Sequence, residues 1–190
     1  MCPHSGNRIL SEMTNVIDIL VYRAKVIEQK AFGSWEIRFG ESYHINTKLS
    51  DLSDTALYFL AQPGENRSVA YYELIMGVLD LGPAIKFNYL PNREQIAVVD
   101  VHLFLADQVR YEIMRRLEWI INLPCEKYGI VEMVQGFDTV KAECKGTFPE
   151  LASSHPELPA YAQLPHSERE SFIRRMLRDA LESFKDRLGF

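Results

Sequence analysis

The chain has 190 residues, 47% of them hydrophobic and 25% charged, with a formal net charge of −5. That length favours one domain with a substantial core, so residues 1–190 are expected to form a single globular unit; the acidic balance gives no reason to expect nucleic acid as a partner. No uncharged apolar segment reaches the ~18–20 residues that cross a bilayer, and residues 1–8 lack a basic-then-apolar secretory pattern, so a cytoplasmic protein without a membrane partner is expected.

Residues 7–31 carry Leu10, Met13, Ile17, Leu20, Ala24 and Ile27 at alternating steps of three and four. This is the seam of an amphipathic helix, with a period close to the 3.5 that lets helices pair, either with the rest of the domain or with a second copy. Over residues 32–47, Trp35, Ile37 and Phe39 alternate with Glu36 and Arg38. Such alternation reads as a half-buried strand turning at Gly40 into a small hairpin; the other reading has the first helix bend at Gly33 and continue.

The next helix starts at Ser50 or Ser53, points Leu57, Leu60 and Ala61 inward, and stops at Pro63 and Gly64. Another follows, capped by Asn66 or Ser68, with Val69, Tyr72, Ile75, Met76 and Leu79 as its apolar face and Gly82 before Pro83 as its closure.

Residues 95–122 form the expected organising element. Residues 96–106 are almost continuously apolar, as in a helix buried on all sides; after them Val109, Ile113, Leu117 and Ile120 narrow to one stripe, with Glu112, Arg115, Arg116 and Glu118 opposite. Asn92 and Gln95 have capping-box spacing and Pro124 supplies the stop. The β-branched run also permits a strand over residues 96–105, paired with residues 84–90.

Residues 128–144 read as a helix or as two strands broken at Gly136. Residues 146–166 hold Pro149, Pro156, Pro159 and Pro165, a density that disfavours helix and favours an extended strap. Phe148, Leu151, Leu158, Tyr161 and Leu164 would anchor it to the domain surface. The strap leads to a helix over residues 167–188, with a capping box at Ser167 and Glu170, a broad apolar face and Gly189 at its end.

The fold class that follows is mainly α: a single-domain helical bundle around a long central helix, with a small β-hairpin. The alternative is α+β, with strands drawn from residues 84–105.

Motifs that would name a chemistry are missing: no glycine-rich phosphate loop, no metalloprotease or EF-hand signature, no nucleophile elbow. Cys2, Cys125 and Cys144 lack Cys-x-x-Cys spacing, so free thiols are expected, with no disulfide framework, metal or cofactor. His4, His44, His155 and His166 share no spacing. On a central helix, Asp100 and Asp107 would lie nearly one above the other, on a stripe shared with Phe104, Tyr111 and Glu118; Arg110, three residues after Asp107, is a natural partner. Buried carboxylates must be paired or hydrogen-bonded, so Asp100, His102, Asp107 and Arg110 are the candidate ligand-binding residues. His102 joins Asp100 on one face only if the segment is a strand; on a helix it is expected to be a hydrogen-bonded core residue. No residue is identified as catalytic. The first functional expectation is an interaction or assembly protein, a homo-oligomer or a partner-binding chain using its terminal helices; the alternative is a small-molecule-binding protein or enzyme with an internal polar pocket on the central helix.

Overall fold

The computed structural model describes residues 6–144 and 147–189, with side chains from residue 19 onward. Cys2, His4, Gly146 and the side chains of Leu10, Met13 and Ile17 lie outside the described residues. The fold is mainly α. Among the described residues it has nine α-helices: α1 Gly6–Phe39, α2 Asp54–Ala61, α3 Glu65–Val78, α4 Asn92–Arg116, α5 Ile130–Gln135, α6 Phe137–Cys144, α7 Leu158–Gln163, α8 His166–Arg175 and α9 Leu177–Leu188. Short 3₁₀ turns, Leu49–Asp51 and Ala84–Tyr89, precede α2 and α4. Two short strands, β1 Ile120–Ile121 and β2 Glu150–Leu151, pair antiparallel with Ile120 opposite Leu151.

The segment with two readings, residues 95–105, is helical, and residues 84–90 hold a 3₁₀ turn in place of a partner strand. Its β-branched residues are accommodated because tertiary packing outweighs their modest helix penalty. The helix is not buried all round: Val98, Val101, His102 and Leu105 face the core while Ile96, Asp100 and Leu103 are exposed. Asn92 and Gln95 do not form a capping box, since the Gln95 amide donates to the Leu90 carbonyl at 2.8 Å. Nor does the helix reach residue 122. Trp119 N–H donates to the Met114 carbonyl and Glu118 N–H to that of Arg115, both at 2.9 Å, with Glu118 left-handed at φ 60°. This is a Schellman closure in which a glutamate takes the position usually held by glycine. Asp80, at φ 56°, closes α3 in the same way ahead of Gly82.

No hairpin forms at residues 32–47, because α1 runs straight through Gly33. Trp35 and Phe39 sit four residues apart on one helical face, edge-to-face at 5.9 Å, while Ile37 between them is 88% exposed. Over five residues, an i, i+4 pair with one exposed apolar residue imitates strand alternation. The Trp35 indole donates to the Ala70 carbonyl at 2.9 Å, tying α1 to α3.

Ser53 caps α2 by accepting from Ala56 N–H at 3.1 Å. Neither Asn66 nor Ser68 caps α3, which starts at Glu65 directly after Gly64. Packed on both α1 and α4, α3 buries Ala70, Tyr71 and Leu74 in addition to Ile75 and Met76, and leaves Val69 at the surface. The main core therefore lies between α1, α2, α3 and α4, with α5 and Phe184 of α9 closing it.

A second core gathers Met114, Ile120, Leu123, Leu151, Tyr161 and Ile173. The β1–β2 ladder belongs to it, brought together by the proline-rich strap. That strap is not wholly extended: residues 158–163 form α7, with Pro159 in the first turn, where a missing N–H breaks no hydrogen bond. The expected C-terminal helix is two helices that meet at Met176, and Gly189 at φ 76° ends the second. Its first part starts after Pro165 without the Ser167–Glu170 box; Glu170 instead accepts from Arg174 at 3.1 Å.

The α1–α3 approach depends on Gly77, where an added Cβ would lie 2.0 Å from the Lys30 carbonyl oxygen. Gly77→Ala is expected to lower the unfolding free energy by about 1–3 kcal/mol or more, because backbone must move to make room. Gly33→Ala, with nothing within 4 Å of the new methyl, should raise it by about 0.5–1 kcal/mol. Urea denaturation of the two variants measures this contrast.

Candidate functional site

The four residues singled out in the sequence separate. Asp100 is exposed on the outer side of α4. His102 is buried against α3, its ring 4.8 Å from that of Tyr71 and 5.4 Å from that of Tyr72. It packs as an aromatic residue, since its Nε2 has no hydrogen-bond partner. Burial first, then the charges of Arg67 and Arg110, hold its pKa down at about 4. His102 is thus a neutral core side chain.

Asp107 and Arg110 do come together, at 3.4 Å, but the shorter contact to Asp107 is with Arg174 from α8, at 2.7 Å. Burial by itself would lower the Arg174 pKa; the hydrogen bond to Asp107, with support from Tyr111 and Glu170, raises it above the ordinary guanidinium range. One carboxylate of the central helix therefore fastens the last turn of α8, beside its junction with α9.

Beside this pair lies a cavity of about 510 Å³ between α4, α6 and α8. Its α4 wall is Phe104, Asp107, Gln108 and Tyr111, the inner part of the stripe legible in the sequence, displaced from Asp100 toward the helix C-terminus. The opposite wall brings Asp138 and Lys141 from α6, and Glu170 and Arg174 from α8. Two of these side chains are nearly fully buried yet unpartnered among the described residues: Gln108, 7% exposed, at Oε1, and Tyr111, 4% exposed, at its hydroxyl. A buried polar group left without a partner costs about 1–3 kcal/mol. Burial pushes the Tyr111 phenol up to about 12, so it remains a neutral donor and acceptor.

Cys125 and Cys144 also line the cavity. Burial, and then a hydrogen bond with Cys144, raises the Cys125 pKa well above the usual thiol range, which leaves it protonated and weakly nucleophilic. Among the described residues, no group of three or more His, Cys, Asp or Glu side chains converges as a metal site, and no helix is long and apolar enough to cross a membrane.

The most tightly held charge was not anticipated. Glu112, assigned from the sequence to a polar face with Arg115 and Arg116, is 1% exposed. It accepts from Arg115 twice at 2.7 Å and from Arg116 at 2.9 Å. Arg116 continues to Asp54 at 2.5 Å and to the Leu52 and Ser50 carbonyls at 2.7 and 2.9 Å. Acid–base spacing of three and four residues looks the same on a solvated helix as on one covered by another element.

His102 supplies a pH test. Its folded pKa lies below the ordinary value of about 6.5, so the unfolded chain takes up a proton first as pH falls. Stability attributable to the neutral ring is complete above pH ~6.5 and declines toward pH ~4, with a slope of up to about 1.4 kcal/mol per pH unit. His102→Phe should remove that component of the pH dependence. Parallel denaturation curves of wild type and variant at pH 7 and pH 4.5 would show the difference; identical slopes refute the assignment.

Comparison with protein-family models, with curated proteins and with solved structures returns no match.

Proposed function

We propose that the chain is a small-molecule-binding protein whose site is the cavity between α4, α6 and α8. The observation that carries this reading is a cavity whose α4 wall includes two residues with buried, unpartnered polar atoms, Gln108 at Oε1 and Tyr111 at its hydroxyl, both covered from solvent just behind the lining. A side-chain rotation that turns these atoms into the cavity would let a ligand N–H or O–H pair with the first and a ligand hydroxyl or carbonyl with the second. Charges of both signs surround them, with Lys141 and Arg174 against Asp138 and Glu170, which suits a compact polar or zwitterionic molecule. The volume falls within the ~300–1,000 Å³ of ordinary ligand sites. Binding is favoured over catalysis because the two groups with most chemical potential are restrained: Asp107 is held by two guanidiniums and Cys125 is kept protonated.

The test is native mass spectrometry of gently purified protein, followed by thermal-shift titration of the retained or screened polar metabolites. Gln108→Leu should stabilise the unliganded protein by about 1–3 kcal/mol, since it removes an unmet polar group, and abolish the ligand-induced shift. A variant that binds as well as wild type, or that is destabilised, would remove the basis of the proposal.

A second reading, self-association through α1, rests on a separate observation. Ile19, Leu20, Val21 and Tyr22 are all about half or more exposed, and among the described residues α1 is fully buried in the core only from Ala31 onward, at Ala31, Phe32 and Trp35. Four consecutive helical residues cover every side of the rod, so this part of α1 stands clear of the domain. The near-3.5 seam read in the sequence is what a second α1 would meet. By contrast, Ala180 and Phe184 of α9 are buried in the chain's own cores. Light scattering coupled to size exclusion should give a dimer for wild type and a monomer for Leu20→Glu/Tyr22→Glu; a wild-type monomer at high concentration refutes it.

A further inference from the structure

On the other side of the Asp107–Arg174 bridge lies a second cleft, of about 580 Å³, between the end of α2, the middle of α4 and the junction of α8 with α9. Its charged lining is Arg110, Arg174, Arg175, Arg178 and Lys185, against Glu182. Asp107 and Glu170 neutralise Arg110 and Arg174 from behind. Among the described residues Arg175, Arg178 and Lys185 have no carboxylate within 4.0 Å, and Arg175 only lies over the Phe172 ring.

A further cation, Arg67, stands near Arg110 but outside the lining of the cleft. Arg67 is half-buried, with Nε and Nη1 unpartnered, and no carboxylate among the described residues answers it. Burial, and then the neighbouring Arg110, lower its pKa; burial first, and then Arg67 and Arg110, depress His102. In a chain of net charge −5, so many cations around one concavity are not a by-product of composition. Arg175 and Arg178 are exposed and keep their hydration, so what the unpaired cations bring to the cleft is a positive field and free donors, which an anion there would engage. Leu177 and Leu181 supply an apolar wall beside them.

We propose that this cleft binds the phosphoryl groups of a small, multiply charged phosphate compound. Arg178 and Lys185 make its direct charge-assisted contacts, Arg175 joins them from the end of α8, and Arg110 and Arg174 form the floor. The organic part, where there is one, lies along Leu177 and Leu181. The site differs from the polar cavity in its lining, sharing only Arg174.

The experiment is isothermal titration of the full chain with inorganic tripolyphosphate and, separately, with ATP in the absence of divalent ions. Saturable binding of either supports the site, and the comparison tells whether phosphoryl groups alone are recognised or the apolar wall contributes. Arg178→Ala/Lys185→Ala should weaken binding at least about tenfold. Lys86→Ala, an exposed cation on the 3₁₀ turn before α4 and outside the cleft, should leave it unchanged. Three results overturn the proposal: no saturation by either compound at millimolar concentration, equal weakening by the Lys86 control, or binding confined to single-stranded oligonucleotides with affinity rising with length.

Discussion

Glu112 is the constraint on which the arrangement of helices depends. A carboxylate removed from water demands compensation, and here it comes from two guanidiniums one turn along the same helix. Arg116, turned inward to meet it, has donors to spare for Asp54 and for carbonyls of the turn before α2. Its own carbonyl accepts from Arg187 of α9 at 2.7 Å. One buried charge thus fixes three elements, the end of α4, the start of α2 and the last helix, in a common register. Removing either partner of such a buried pair typically costs about 3–5 kcal/mol, because the other is left uncompensated.

That register determines what the middle of α4 faces. With Glu112 directed at the turn before α2, Gln108 one turn earlier stands at the edge of the same inner face, and Asp107 and Tyr111 face α8. The second core, built from β1, β2, α7 and α8, covers Met114 and brings Arg174 to Asp107. The polar cavity is the space left where α6 and the strap diverge around this contact. Its position follows from two ion-pair systems on one helix, one holding α2 and α9, the other holding α8.

The sequence made the mainly α architecture legible because its helices carry strong punctuation. Ser53, Pro63 with Gly64 and Gly189 stand where chain geometry requires them. Ends closed by Asp80 and Glu118 were not legible, since a non-glycine residue in the left-handed region has no reliable signature. The β1–β2 ladder was hidden for another reason: two residues per strand, joined across a long sequence separation, leave no periodicity to read. At the site, the stripe through Phe104, Asp107 and Tyr111 was visible as helical geometry. How far along it burial extends was not, because that depends on where α6 and α8 end up. Asp100 fell outside the covered part and Gln108 inside it. Arg174 could not be assigned, since its partner is 67 residues away.

Arg174 forms a wall common to two concavities of different character, and its guanidinium has a finite set of donors. An occupant that recruits those donors from one side alters what remains for Asp107 and for anything on the other. Thermodynamic linkage then requires reciprocity: by whatever factor an occupant of the cationic cleft changes affinity in the polar cavity, an occupant of the cavity changes affinity in the cleft by the same factor. A single shared side chain would make the two sites one coupled system, whose sign is set by whether the two occupants need Arg174 in the same place.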